Sequence, residues 1–381
     1  MRKDIYMDFT KLDAYIAQLP EYGIPAADIA VYRDHKLIHR FMAGCSDYEG
    51  KVPVSGQDMY HIYSNTKVLT VVAVMQLVEQ GKISLEDPVS KFLPSFSVLT
   101  YRKKAKILPV TKPLTIYHLL TMTSGFGYDH FGAVEAALEM NPEAGTVDLA
   151  SALASEPLHF QPGERWMYGM GHDILGAVVE VVSGRKFGDY LEEHILKPLD
   201  MKHTTFDFSD PYVQAHISAL YNYDAKLDKT VPIENSSPAW SANMQSGGGG
   251  ALSCTEDYIL LMDALANEGV GKTGCRILQK ETIDLIRTPQ LDLLKQSQFL
   301  ISHMKKGYSY GLGVRTLIDK GYSRSPIGEF AWDGLTGGYG LADPDNKIAI
   351  CYMQNVENCL YAYREVFFRT RDLIYEALGI E

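Results

Sequence analysis

The sequence predicts an α+β fold in which strands from both ends of the chain share one antiparallel sheet. Near the N-terminus, residues 28–33 and 36–41 are two strand-like runs that flank the polar pair Asp34 and His35, the pattern of a β-hairpin. Strand-like patterns return between residues 308 and 355, whereas residues 83–164 are helical or interrupted by proline. Strands at both ends with helices between them indicate a sheet that a helical insertion interrupts.

The first long helix is predicted over residues 66–80. This stretch contains neither glycine nor proline, its apolar residues recur at helical spacing, and Gly81 follows as a C-cap. Because apolar residues lie on every side of this helix, we expect it to be buried at the centre of the protein.

Later elements are predicted from the same signals. Helices are expected over 173–182, ending at Gly184, and over 187–195, closed by Pro198. Strands are expected over 308–318, 329–332 and 338–355, the last folded back by a turn at 343–346, before a closing amphipathic helix over 360–378.

These elements predict two domains with the active site between them. Residues 1–82 and 176–381 would form a discontinuous sheet domain, and residues 83–175 a helical domain. The four glycines at 247–250 predict a turn to which another part of the protein comes unusually close.

Composition and charge exclude several classes of protein. Hydrophobic residues make up 46% of the 381 residues and charged residues 22%, which is typical of globular proteins and argues against disorder. The formal net charge is −11 and no basic run is present, which argues against binding nucleic acid or an anionic membrane. The longest apolar stretch, residues 68–78, is far shorter than the roughly 20 residues of a membrane span.

The cysteines and the N-terminus indicate a cytoplasmic protein. The five cysteines are scattered and contain no C-x-x-C pair, which favours reduced thiols over a disulfide framework or a zinc site. Residues 1–8 carry two positive charges but no apolar run behind them, so we expect no signal peptide.

Ser64 and Lys67 form an S-x-x-K pattern at the start of the predicted central helix. Positions i and i+3 share a helix face, so the lysine ammonium can reach the serine hydroxyl. The N-terminal end of a helix favours an oxyanion. Burial lowers the pKa of a lysine, so that the side chain can act as a base near neutral pH. An N-capping serine followed by a solvated lysine would give the same pattern, so its surroundings decide between the two interpretations.

The surrounding segments resemble the serine β-lactamase and penicillin-binding-protein superfamily, in the order typical of its class C β-lactamase-like branch. The matching segments are YHIYSNTK at 60–67, GKISLEDPV at 81–89, LTIYHLLTMTSG at 114–125, QPGERWMY at 161–168, DILG at 173–176 and PLDM at 198–201. The resemblance implies a β-lactamase-like fold, with an antiparallel sheet flanked by helices and a mostly helical inserted domain. It also implies that Ser64 is the nucleophile.

The second motif of that branch is Tyr-x-Asn, and the matching residues here are Tyr168, Gly169 and Met170. The resemblance implies that the Tyr168 phenol acts with Lys67 as the general base for Ser64. Met170 stands in place of the asparagine amide side chain, and we expect it to contact the substrate. His172 is a further candidate for the pocket wall, although a lone histidine is more often structural.

The third motif is Lys-Thr-Gly, and Trp332 stands at its lysine position, followed by Asp333 and Gly334. Esterases of this branch carry similar Trp-Gly-Gly or His-Gly-Gly sequences. By analogy, the backbone N–H groups of Ser64 and Leu335 form the oxyanion hole. We expect Trp332, Asp333 and Gly334 to contact substrate, with Asp333 repelling anionic substrates.

A second serine motif, G-x-S-x-G around Ser309, is predicted to be accidental. In α/β-hydrolases a strand precedes this elbow, a helix follows it, and a histidine lies further along the chain. Here the last histidine is His303, and the residues after Ser309 resemble a strand.

The resemblance is greatest to the family VIII carboxylesterases. It implies an ester hydrolase that favours short acyl chains, forms an acyl-enzyme on Ser64 and needs neither metal nor organic cofactor. The alternatives are a β-lactamase, a D,D-peptidase or D-amino-acid amidase, and an acyltransferase of the same fold. A non-catalytic sensor is the alternative outside enzymes, and retention of Ser64, Lys67 and Tyr168 argues against it.

Overall fold

Strands from both ends of the chain form the main sheet, in a computed structural model that describes residues 7–237 and 239–380. The strands are β1 (Ala26–Arg33), β2 (Lys36–Gly44), β3 (Tyr60–His61), β4 (Thr100–Lys103), β5 (Lys106–Pro109), β6 (Tyr221–Asp224), β7 (Lys229–Pro232), β8 (Leu252–Ser253), β9 (Tyr308–Tyr310), β10 (Arg315–Leu317), β11 (Phe330–Ala331), β12 (Tyr339–Asp343), β13 (Ile348–Gln354) and β14 (Val356–Glu357). The main sheet is antiparallel, in the order β2-β1-β13-β12-β11-β10-β9.

The N-terminal hairpin pairs directly with the C-terminal strands. In the register of β1 and β13, Ala30 lies opposite Cys351 and Val31 opposite Ile350. Nearly the whole of β1 is buried because it lies between two other strands and helices cover the sheet. The predicted β-lactamase-like α+β architecture is therefore confirmed.

Helices surround this sheet and fill the middle of the chain. They are α1 (Thr10–Ala17), α2 (Thr66–Glu79), α3 (Ile116–Leu120), α4 (Phe131–Met140), α5 (Thr146–Ala152), α6 (Gly171–Ser183), α7 (Phe187–Leu191), α8 (Lys197–Leu199), α9 (Pro211–His216), α10 (Thr255–Ala266), α11 (Lys280–Arg287), α12 (Leu293–His303) and α13 (Phe367–Ala377). The helix α2 is buried from Thr66 to Leu77, as its apolar composition predicts. It ends at the expected glycine, since Gly81 has φ +69°.

The structure corrects the predicted strand over residues 308–318. These residues form the hairpin β9–β10, in which Thr316 pairs with Ser309. Gly311 and Gly313 lie in the connection, and Gly313 has φ +77°. A left-handed residue ends an extended run, so a single strand cannot continue through this point.

Other predicted boundaries also change. The helix that starts at Phe187 passes through a π-helical turn over Glu192–Leu196 and continues to Leu199, so Pro198 lies inside its last turn. The left-handed Asp200, at φ +64°, ends the helix instead. The hairpin β4–β5 lies in a stretch predicted to be helical or irregular, and α10, α11 and α12 were not predicted.

Two observations concern the predicted cellular location of the protein. Most of the N-terminal segment on which the absence of a signal peptide depends lies outside the described residues. Among the described residues, no helix combines the length and apolar character needed to cross a bilayer. The two domain ranges given above stay a prediction.

Candidate active site

Ser64 lies in a single 3₁₀ turn, Tyr63–Asn65, that leads directly into α2. Tyr63 has φ +42°, a left-handed conformation that is unfavourable for a bulky side chain and is typical of functional sites. The turn is held from both sides: the Asn65 amide donates to the Gly338 carbonyl at 2.9 Å, and the Tyr258 hydroxyl donates to the Asn65 carbonyl at 2.9 Å. These bonds fix the serine between the sheet and α10.

The three predicted catalytic side chains meet at one point. The Lys67 ammonium donates to Ser64 Oγ at 3.0 Å, and the Tyr168 hydroxyl contacts the same oxygen at 2.6 Å. The one-turn spacing of Ser64 and Lys67 on the helix produces the first contact. Tyr168 lies in the segment just before α6, and α6 packs against α2. A serine hydroxyl in contact with a lysine and a tyrosine has the geometry that an activated nucleophile requires.

The electrostatics of Lys67 differ from the prediction. Burial alone would lower the pKa of its ammonium, but the surrounding Tyr128, Tyr168 and Asp173 outweigh burial and raise that pKa above its usual value. Lys67 therefore remains a cation at neutral pH. The predicted lowering of its pKa is wrong because it considered burial without the partners.

Tyr128 is a second phenol at the site that the motifs did not identify. Its hydroxyl accepts a hydrogen bond from the Lys67 ammonium at 2.9 Å, and burial raises its pKa. It follows the matched segment 114–125 by only three residues, so its position in the sequence was the available signal. Tyr128 thus helps to hold the lysine.

The glycine run fixes the other side of Lys67. The Gly248 carbonyl accepts from the ammonium at 2.6 Å, and the Gly248 N–H donates to Asp173 at 3.2 Å. A Cβ on Gly248 would lie 2.3 Å from an oxygen of Asp173, and one on Gly247 would lie 2.4 Å from the His172 carbonyl. The predicted close approach at this turn is therefore confirmed.

Tyr168 is flanked by two buried tryptophans. The Trp332 indole N–H donates to the Tyr168 oxygen at 3.1 Å, and the Trp166 ring stacks on the other side with centroids 6.4 Å apart. His303, at the end of α12, also contacts Tyr168, with ring centroids 5.1 Å apart. Burial lowers the pKa of His303 to about 4, so it is neutral at pH 7.

A cavity of about 620 Å³ opens above Ser64 and reaches Trp332, Asp333, Gly334 and Leu335. Gly334 comes very close to the nucleophile segment, since a Cβ there would lie 2.5 Å from the Ile62 carbonyl. The turn with Leu335 therefore lies beside Ser64. Its role as an oxyanion donor stays a prediction.

Asp333 does not present a free negative charge to the cavity. It forms ion pairs with Arg315 and, at 3.4 Å, with Lys305. Burial alone would raise the pKa of Asp333, but these two cations outweigh burial and lower it. The expected repulsion of anionic substrates is therefore wrong, because the carboxylate is already neutralised.

Met170 and His172 are not part of the cavity wall. Both side chains are completely buried. Met170 is the residue before α6, and His172 lies in its first turn, facing the interior beside Gly313. Burial lowers the pKa of His172 well below its usual range, and both ring nitrogens lack a hydrogen-bond partner. Their predicted contact with substrate is corrected.

Ser309 is buried in β9 and paired with Thr316 on the next strand. A strand follows it where a nucleophile elbow needs a helix. The interpretation of G-x-S-x-G as accidental agrees with this placement.

Asp129, His130 and His159 place potential metal-ligand atoms within 4.8 Å of one another. Their hydrogen bonds already account for the cluster. His159 pairs with Asp129 at 2.9 Å, whereas the ring of His130 contacts Gly127 and the Pro157 carbonyl. The group orders the loop that carries Tyr128.

The sequence profile described as Beta-lactamase matches residues 12–359. The chain belongs to the Beta-lactamase family. The match to this family of serine hydrolases spans both the helix that follows Ser64 and the sheet beside it.

Individual relatives span nearly the whole chain of this Beta-lactamase family member. Protein Rv1367c of Mycobacterium tuberculosis (strain ATCC 25618 / H37Rv) is 28% identical over 361 residues, covering 91% of this chain and 89% of that protein. Esterase EstB of Burkholderia gladioli is 26% identical over 372 residues, covering 91% of this chain and 90% of EstB. The solved structure of EstCE1, described as a hydrolase with promiscuous acyltransferase activity, has a TM-score of 0.78 at 22% identity, with 97% and 98% of the two chains covered.

Proposed function

We propose that the protein hydrolyses carboxylic esters with short acyl chains through an acyl-enzyme on Ser64. The observation that carries this proposal is the contact of Ser64 Oγ with both Tyr168 and Lys67, at 2.6 and 3.0 Å. We place a short acyl group against Tyr128, Tyr168 and Trp332, which line the cavity together with Ser64. The similarity to EstB, named an esterase, supports the same reaction class.

In the first step, Ser64 Oγ attacks the ester carbonyl and its proton passes to the Tyr168 oxygen, which has first released its own proton to solvent. The Lys67 cation and the Trp332 N–H stabilise the negative charge of that oxygen before the transfer. The tetrahedral intermediate is stabilised by the N–H groups of Ser64 and Leu335. Its collapse breaks the bond to the alcohol oxygen, which takes the proton from Tyr168 and leaves.

In the second step, water loses a proton to Tyr168 and attacks the acyl carbon. The bond to Ser64 Oγ then breaks, and the serine recovers the proton, so that one ester and one water yield one acid and one alcohol. In this scheme Ser64 and Tyr168 carry every proton transfer, and Lys67 acts as a fixed cation beside them.

Acyl transfer to an alcohol is the second candidate. The specific observation that favours it is the apolar character of the cavity, whose wall includes Phe131, Trp240 and Leu360. Such a wall retains an alcohol more readily than water. EstCE1, with the same fold, is described as having promiscuous acyltransferase activity.

β-Lactam or D-alanyl peptide hydrolysis is less favoured because Trp332 replaces a lysine. An ammonium at that position would bind the carboxylate of these substrates, whereas the indole has no positive charge. An uncharged ester loses nothing by this replacement.

The experiment compares two serines and two substrates. Ser64→Ala should abolish hydrolysis of p-nitrophenyl butyrate and labelling by a fluorophosphonate, whereas the control Ser309→Ala should retain labelling. The wild-type kcat/KM for this ester should exceed that for a chromogenic cephalosporin by at least about 10²-fold. An active Ser64→Ala protein, or faster cephalosporin hydrolysis, would contradict the proposal.

A further inference from the structure

Four large apolar side chains are exposed at the mouth of the cavity. Phe131 is 37% exposed, Leu335 38%, Leu360 44% and Met304 52%, and all four line the same opening. They come from the start of α4, the turn after β11, the segment before α13 and the end of α12. Single exposed apolar residues are common on protein surfaces, but convergence from four segments on one opening marks a binding surface. We call these four residues the rim.

The two carboxylates of the cavity wall, Asp173 and Asp333, have partners within the protein. Asp333 is paired with Arg315 and Lys305. Asp173 accepts hydrogen bonds from Ser246 and the Gly248 N–H. Among the described residues that line this cavity, the carboxylates therefore already have partners. The rim thus offers a substrate mainly apolar contact.

We infer that the substrate is a neutral ester whose alcohol half is the larger, apolar part and lies on the rim. This inference rests on the proposed ester hydrolysis at Ser64. The acyl group becomes bonded to Ser64, which lines the cavity together with Tyr128, Tyr168 and Trp332. While the acyl group is bonded to Ser64, we place the alcohol half, which is displaced first, along the rim between Ser64 and the solvent.

The test uses isomeric esters, which have the same composition and differ in which half carries the chain. Hexyl acetate and ethyl hexanoate are one such pair, with ethyl acetate as the common short reference, and a pH-stat measures kcat/KM for each. Each methylene buried on the rim raises kcat/KM by about three- to fourfold. We expect hexyl acetate to exceed ethyl acetate by at least about 30-fold and ethyl hexanoate by at least about tenfold.

Two variants test whether the rim causes the preference for hexyl acetate over ethyl acetate. The double variant Met304→Ser, Leu360→Ser removes two rim side chains and should reduce the ratio of hexyl acetate to ethyl acetate about tenfold. Leu293→Ser is the control, because Leu293 is 91% exposed on the same helix α12 but does not line the cavity. This control should keep the wild-type ratio.

The outcomes separate this inference from the proposed function. Equal rates for the isomers, or faster ethyl hexanoate hydrolysis, would overturn the inference while leaving ester hydrolysis by Ser64 intact. An unchanged hexyl-to-ethyl ratio in the double variant would overturn the role of the rim. Failure of the wild-type protein to hydrolyse any of these esters in a Ser64-dependent way would refute the proposed function itself.

Discussion

Replacing Trp332 by phenylalanine tests whether the hydrogen bond to Tyr168 assists catalysis. The indole N–H donates to the Tyr168 oxygen at 3.1 Å, and the side chain is only 1% exposed. Phenylalanine keeps an aromatic ring in the site but removes the donor. If Tyr168 accepts the serine proton, its oxygen carries negative charge before the transfer and depends on this donor.

The expected loss of kcat follows from the type of hydrogen bond that the substitution removes. A hydrogen bond to a charged group contributes about 1.5–3 kcal/mol, and each ~1.4 kcal/mol corresponds to a tenfold change in rate. Trp332→Phe should therefore lower kcat by about 10- to 150-fold. Because the bond acts on the reacting proton rather than on the substrate, KM should change little. The acid limb of the kcat/KM profile should move to higher pH.

Trp166→Phe is the matched control for this experiment. Trp166 also stacks on Tyr168 and is 4% exposed, but its indole N–H is buried without a hydrogen-bond partner. Its replacement should leave kcat within about threefold of the wild-type value. Steady-state hydrolysis of p-nitrophenyl acetate from pH 5 to 9 measures both variants. An equal loss in both variants would attribute the effect to packing, and an unchanged kcat in Trp332→Phe would refute the role of the donor.

Three further predictions follow from the same network. Lys67→Ala and Tyr168→Phe should each reduce kcat by roughly 10² or more, and their double variant should lose far less than the product of the two, which a double-mutant cycle measures. If the two losses in kcat multiply fully in the double variant, Lys67 and Tyr168 act independently of each other. Tyr128→Phe removes one acceptor from the Lys67 ammonium and should reduce kcat about tenfold at an unchanged Tm, so full activity would contradict its role in holding the lysine. Burial outweighs Asp333 and lowers the pKa of Lys305 to about 8. Between about pH 8 and 10.4 the unfolded chain therefore binds more protons than the folded chain, and the free energy of unfolding rises with pH. In urea unfolding, the wild type should gain about 1–2 kcal/mol over Lys305→Met between pH 8 and 9.5, whereas a constant difference would contradict the lowered pKa; the exposed Lys306→Met serves as control.

Local patterns were sufficient to predict the helix with the nucleophile. Ser64 and Lys67 are one helical turn apart, so their contact can be predicted from the residue spacing alone. The apolar residues around α2 likewise required a central position, which the structure confirms. The N-terminal hairpin and the C-terminal strands were recognisable from strand-like runs separated by polar turn residues, although the glycines around Gly313 turned one expected strand into a hairpin.

The charge states of the site could not be predicted in this way. The pKa of Lys67 is raised by Tyr128, Tyr168 and Asp173, which come from other parts of the chain. Asp333 was expected to repel anions, but its neutralisation depends on Arg315 and Lys305, which lie well before it in the sequence. Long-range contacts of this kind determine electrostatics without leaving a local pattern.

The charge of Lys67 also explains how the remaining roles are divided. Its ammonium already donates to Ser64, Tyr128 and the Gly248 carbonyl, so it must lose a proton before it can accept one. The Tyr168 hydroxyl also contacts Ser64 Oγ, at 2.6 Å, and we propose its oxygen as the base after it has released its own proton. The Trp332 N–H then provides this oxygen with a donor while adding no second positive charge. A lysine at the same position would add a charge that an uncharged ester does not use. The tryptophan therefore suits both the proposed base and the proposed neutral substrate.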